Sequence, residues 1–296
     1  MWENFSREST RKRIASTGLH TKPTQLTREF LAIVTDELQF FLTSALRRMA
    51  NWLGIVQPKL TQEIPDLIID GPATAPAIIL LGSGSHEPVT GSFMTVVAHE
   101  LARRGWQIAR FDFSYMKRRR VRPRTGSRTV PQDSIEALQA DFIRKIKAVS
   151  DGRPLFIGGK SISGLIASQI ADQVDVKACI GLGYPFYSPW KPDEDQAYRV
   201  KHLANLQTPM LIIQGDRDEY GDPDYLQNVN LSSRIEINWI KGRNHRFQSC
   251  QNSNETEQEC LREAIEMADI YIRKILVHTI DDQQQKELAS QLSEVI

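Results

Sequence analysis

Between residues 66 and 242 short runs of β-branched and aliphatic residues alternate with stretches whose apolar positions recur every three or four residues, and this alternation predicts the architecture. DLIID at 66–70, AIILLGS at 77–83, QIARFDF at 107–113, PLFIGG at 154–159, VKACIGLGY at 176–184, PMLIIQGD at 209–216 and RIEINWIKG at 234–242 read as strands. Three helical patterns are placed among them. FMTVVAHELARRG stops at Gly105, DSIEALQADFIRKIKAV starts from Asp133 or Ser134 as N-cap, and EQECLREAIEMADIYIRKIL closes the series as an amphipathic helix. The strands carry Val, Ile and Leu on both faces, so the expected fold class is α/β: a mainly parallel sheet covered by helices on both sides.

Outside this span the pattern changes. Residues 1–24 are polar and without a period. From Leu26 to Leu53, Phe30, Val34, Leu38, Phe41, Leu42, Ala45, Met49 and Trp52 recur at helical spacing. That helix packs on its own domain or meets a protein partner or a membrane surface, and Arg47 with Arg48 make a thin basic face for the last of these. The expected organisation is an N-terminal helical extension at 1–60, an α/β domain at 61–280 and a tail at 281–296 that is either a frayed helix or an interaction segment.

Charge and cysteine content remove several function classes. Lys and Arg nearly balance Asp and Glu, leaving a formal charge of +1 over 296 residues, so no global field recruits nucleic acid. Cys179, Cys250 and Cys260 form neither a Cys-x-x-Cys pair nor an even disulfide set, which points to reducing cytoplasm. No apolar run reaches the roughly 18 to 20 residues that cross a bilayer, and the first residues lack a signal-peptide core. No cluster has metal spacing, so neither metal nor other cofactor is expected.

In a parallel α/β sheet chemistry gathers at the carboxyl ends of the strands, where GGKSISG falls at 158–164. A sharp strand-to-helix turn that presents a nucleophile needs small residues two before and two after it. Gly159 and Ser163 fill those places around Ser161, Ser163 being read as an added volume that the turn tolerates. The plainer reading of Ser161 is an N-capping serine. Two later strand ends favour the nucleophile. QGDRDEYGD supplies an acid, Asp218 by spacing with Asp216 as runner-up, and KGRNHRF supplies His245, so Ser, Asp and His occur in the order such a triad requires. The backbone amides of Ile162 and Ser83, with Gly84 as the alternative to Ser83, are the expected oxyanion donors. Gly82 and Tyr184 are the expected substrate contacts, and Tyr184, Phe186, Tyr187 and Trp190 read either as the wall of a pocket or as an ordinary packed loop.

These motifs resemble those of the dienelactone-hydrolase-like branch of the α/β hydrolases, which includes the testis-expressed hydrolase-like proteins and a regulatory subunit of the NSL histone acetyltransferase complex. The resemblance runs from Pro76 to Phe247 and rests on LLGSGS, RFDFSYM, GGKSISG, GYPFYSPWKPDEDQAYRVKHL and QGDRDEYG. It implies an α/β-hydrolase fold, with the nucleophile on Ser161, the acid on Asp218 and the base on His245. Leu81 stands where the family has His, Ser114 where it has Pro, and Ser163 where it has the elbow Gly. The expected function is a serine hydrolase of a small-molecule ester or thioester. The alternative is a weak or inactive member that serves as an interaction module. The seven positive charges from Lys117 to Arg128 read as a loop beside the site, either solvated or steering an anionic substrate.

Overall fold

The computed structural model describes residues 67–85, 87–121, 132–190, 196–249 and 255–293. The expected extension at 1–60, its helix and the partner role given to it lie outside these residues. Seven strands form one sheet: β1 (Ile68–Asp70), β2 (Ile78–Gly82), β3 (Gln107–Phe111), β4 (Leu155–Lys160), β5 (Ala178–Leu182), β6 (Met210–Gly215) and β7 (Ile235–Ile240). Their spatial order is β1-β3-β2-β4-β5-β6-β7. β1 runs antiparallel to β3, and every other pairing is parallel. The strand order therefore reverses between β2 and β4, and the carboxyl ends of these strands are where open α/β sheets place their chemistry.

Alternation along the strands divides the core into two layers. Ile78 and Leu80 of β2 pack with Phe111, Leu138, Phe142 and Leu165, whereas Ile79 and Leu81 pack with Phe93, Val97, Leu101, Ile265 and Ala268. The first layer is covered by α3 (Ile135–Val149) and α4 (Ile162–Ile170); the second is covered by α1 (Ser92–Arg103) and α6 (Glu257–Ser293). Full burial of a side chain such as Phe142 contributes about 1.5–3 kcal/mol. Ser134 caps α3 by accepting from the Ala137 N–H at 3.3 Å, one of its two expected caps.

Two expectations change here. The basic segment begins as a helix, α2 (Ser114–Val121), rather than a loop, because the Asp141 carboxylate accepts from both the N–H and the hydroxyl of Ser114 at 2.8 and 2.9 Å and closes the helix start. Helix α6 also runs without a break through the boundary drawn at 281. Between β5 and β6 lie two short 3₁₀ turns, Ala197–Arg199 and Lys201–Asn205, and between β6 and β7 lies the one-turn helix α5 (Pro223–Leu226). Among the described residues no helix is long and apolar enough to cross a membrane.

Candidate active site

Strand β4 delivers Ser161 through a turn that only small residues permit. Gly159 has φ of 137°, and a Cβ there would lie 2.1 Å from the Gly82 carbonyl oxygen of the neighbouring strand. Ser161 follows at φ 53° and ψ −116°, a conformation that L-residues rarely adopt and that costs of order 1–3 kcal/mol. Helix α4 begins at the next residue. The Ile162 N–H therefore belongs to a helix N-terminus, and it has no acceptor among the described residues. Ser161 makes no capping hydrogen bond with its side chain, so the N-cap role does not describe it.

The loop after β7 brings His245 over this turn. Its Nε2 lies 3.0 Å from Ser161 Oγ and its Nδ1 lies 2.8 Å from Asp218 Oδ2. The tautomer that satisfies both contacts has Nδ1–H donating to Asp218 and Nε2 accepting from the Ser161 hydroxyl. Asp218 is 2 % exposed. Its Oδ1 accepts from the Tyr220 N–H at 2.8 Å and its Oδ2 accepts from Gln214 Nε2 at 2.8 Å. Asp216, the runner-up, is turned elsewhere and accepts from the Gly242 N–H at 2.6 Å. Tyr220 lays its ring on His245 with centroids 4.3 Å apart.

Two further residues support this half, and both were missed as functional positions. Gln214 ends an apolar strand yet is fully buried, and its amide oxygen accepts from the Tyr184 N–H. Lys160 directs its ammonium at the His245 carbonyl oxygen at 2.6 Å and lies over the rings of Phe93 and Phe247, 5.5 and 5.8 Å from their centroids. Burial pulls the Lys160 pKa down to about 8, although Asp218, Glu219 and Glu87 oppose that shift. The His245 pKa is lowered, first by burial and then by the Lys160 charge, against the raising effect of Asp218. The signal for both residues in the sequence was a polar side chain at the end of an otherwise apolar strand.

The other half of the site is made of backbone and departs from the expectation. The Ser83 N–H donates to the Phe111 carbonyl at 3.0 Å, which continues the β2–β3 ladder, so it is not free to meet an oxyanion. The next amide, Gly84, has no acceptor among the described residues. A Cβ on Gly84 would lie 3.9 Å from the Lys160 carbonyl oxygen, which places the residue against the peptide that leads into Ser161. Gly82 is a packing position rather than a substrate contact: a Cβ there would lie 2.3 Å from Ser163 Oγ and 3.0 Å from the Phe111 ring. Tyr184 does not wall a cleft either. It is fully buried, and its hydroxyl donates to the Arg199 carbonyl at 2.7 Å and sits 3.2 Å from Ser168 Oγ. Phe186 packs on it, Tyr187 stacks on Tyr225, and Trp190 is exposed.

Residues 75–273 match the family model described as an alpha/beta hydrolase domain. No curated protein matches the sequence. Among solved structures, Est1E from Butyrivibrio proteoclasticus is similar at 15% identity, with a TM-score of 0.50 over 71% of this chain and 94% of that one. An a/b serine hydrolase without lid from Xanthomonas campestris shares 19% identity at a TM-score of 0.43, covering 60% and 79% of the two chains. An alpha-beta serine hydrolase homologue from Coxiella burnetii shares 18% identity at a TM-score of 0.45, covering 72% and 90%. At 15% identity the likeness to Est1E is one of fold. The match reaches the superfamily and not the dienelactone-hydrolase-like branch that the motifs resemble.

Proposed function

We propose, from the premise that this chain belongs to the alpha/beta hydrolase family, that it is a serine hydrolase of a carboxylic ester or thioester. The observation that carries the reading is the continuous chain of contacts from Ser161 Oγ through His245 to Asp218, at 3.0 and 2.8 Å. In this reading His245 Nε2 takes the Ser161 proton as Oγ attacks the acyl carbon, and Asp218 stabilises the imidazolium through Nδ1–H. The oxyanion is held by the amides of Ile162 and Gly84, both of which lack another acceptor among the described residues. The tetrahedral adduct collapses, the alcohol or thiol leaves with the proton from His245, and an acyl group remains on Ser161. Water, deprotonated by His245, attacks that acyl group and releases the acid.

A fluorophosphonate probe and p-nitrophenyl esters of graded chain length test this directly. The wild type is expected to take the probe and hydrolyse the esters, and Ser161→Ala is expected to abolish labelling and lower kcat by about 10⁶-fold. A wild-type protein that takes no probe and turns over no ester or thioester would instead be the interaction module.

A further inference from the structure

Ser163 does more than fill a tolerated volume at the turn. It is fully buried on the first turn of α4, and its hydroxyl donates to the Ser83 carbonyl oxygen at 2.6 Å, across from helix to loop. Ser83 is held on its other two polar groups as well: its N–H by the Phe111 carbonyl at 3.0 Å and its hydroxyl by Asp112 Oδ1 at 2.6 Å. A planar trans peptide points its C=O and the following N–H in opposite directions. Fixing the Ser83 carbonyl on Ser163 therefore fixes the Gly84 N–H on the far side of the same plane, and that N–H is the one left without an acceptor among the described residues. The side chain that does this fits only because residue 82 is glycine, since a Cβ there would lie 2.3 Å from Ser163 Oγ.

We infer that Ser163 is a positioning residue for the oxyanion site, locking the Ser83–Gly84 peptide so that the Gly84 amide faces the acyl oxygen. The inference rests on the serine-hydrolase reading above. With the hydroxyl removed, the buried Ser83 carbonyl loses its donor and the peptide gains freedom to rotate, and the Gly84 amide leaves its place for part of the time. The substrate is still bound and Ser161 keeps His245, so the loss falls on the transition state rather than on the ground state.

The experiment compares wild type and Ser163→Ala on p-nitrophenyl butyrate, with inhibition by 1,1,1-trifluoro-2-octanone, which forms an oxyanion on a serine nucleophile, and by 2-octanone, its less electrophilic counterpart. Expected for Ser163→Ala are a kcat lowered roughly 10- to 100-fold, less than the loss of a whole oxyanion donor, and a KM within about twofold of wild type. Inhibition by the trifluoro ketone weakens by the same factor as kcat/KM, while 2-octanone is unaffected. Ser163→Cys keeps a side-chain donor, larger and weaker than the hydroxyl, and should fall between the two, which decides the matter if the alanine variant does not fold. Wild-type kcat and trifluoro-ketone affinity in either folded variant would overturn the inference while leaving Ser161 in place. A parallel rise in KM and in the 2-octanone constant would also overturn it, by assigning Ser163 to substrate binding. Absence of Ser161-dependent hydrolysis in the wild type would instead remove the underlying reading and this inference with it.

Discussion

The two halves of the site are built from different material. On the β6–β7 side the groups are side chains: His245 and Asp218 are joined at 2.8 Å and braced by Gln214, Tyr220 and Lys160. On the β2–β4 side the groups are peptide amides, and the side chains around them, Ser163 and Asp112, serve to hold residue 83 in place. A side-chain site is specified by residue type and order, so its chemistry can be read from letters. A backbone site is specified by which amides the sheet has already used, and that depends on pairing register.

The sharpest way to break the comparison is on the side-chain half. Asp218→Asn should lower kcat/KM by about 10⁴-fold, because an amide cannot hold the Nδ1–H tautomer of His245. Asp216→Asn, which touches the Gly242 amide instead, should stay within about tenfold of wild type. Equal losses would mean that the histidine is oriented by something other than the observed contact.

A smaller effect is expected from Lys160→Met. In the proposed mechanism catalysis needs neutral His245, whose pKa lies below the ordinary value of about 6.5, so the rate is expected to fall as pH drops through that lowered value. Removing the ammonium takes away one of the two lowering causes and leaves burial alone to oppose Asp218 and Glu219. The His245 pKa then rises and the acid limb of kcat/KM moves up in pH, so the variant loses rate relative to wild type on the acid side of the profile. Lys160 itself titrates at about 8, where His245 is already neutral, so the same substitution should leave the alkaline side of the profile unchanged in shape. An acid limb that stays put would confine Lys160 to its contact with the His245 carbonyl.

The smallest effect on rate belongs to Tyr184→Phe. Its hydroxyl is used inside the core, so removing it should lower stability by about 1 kcal/mol, measured by denaturant unfolding, with kcat and KM unchanged. A changed KM would return Tyr184 to the substrate wall.

The same division decides how much was legible in the sequence. Strand runs such as AIILLGS and PMLIIQGD place β2 and β6 to within about a residue or two, because buried parallel strands have a continuous apolar signature. Ser161, Asp218 and His245 come from residue order and strand ends, and the structure brings those three together. The amide at residue 83 was misassigned because nothing in LLGSGS says that its N–H bonds to Phe111. Tyr184 and the start of the basic segment failed for a related reason. One depends on a long-range contact with Arg199, the other on Asp141 reaching back to Ser114 across 27 positions. Local pattern holds no trace of a partner so far along the chain.

The backbone of Ser161 has an evolutionary consequence. A φ of 53° with ψ of −116° suits glycine better than serine. Relieving that conformation returns stability on the order of 1–3 kcal/mol. On the serine-hydrolase reading, position 161 is thus one where selection for turnover and selection for folding oppose each other. A descendant that no longer needed to cleave anything would drift readily toward glycine there and become a more robust protein.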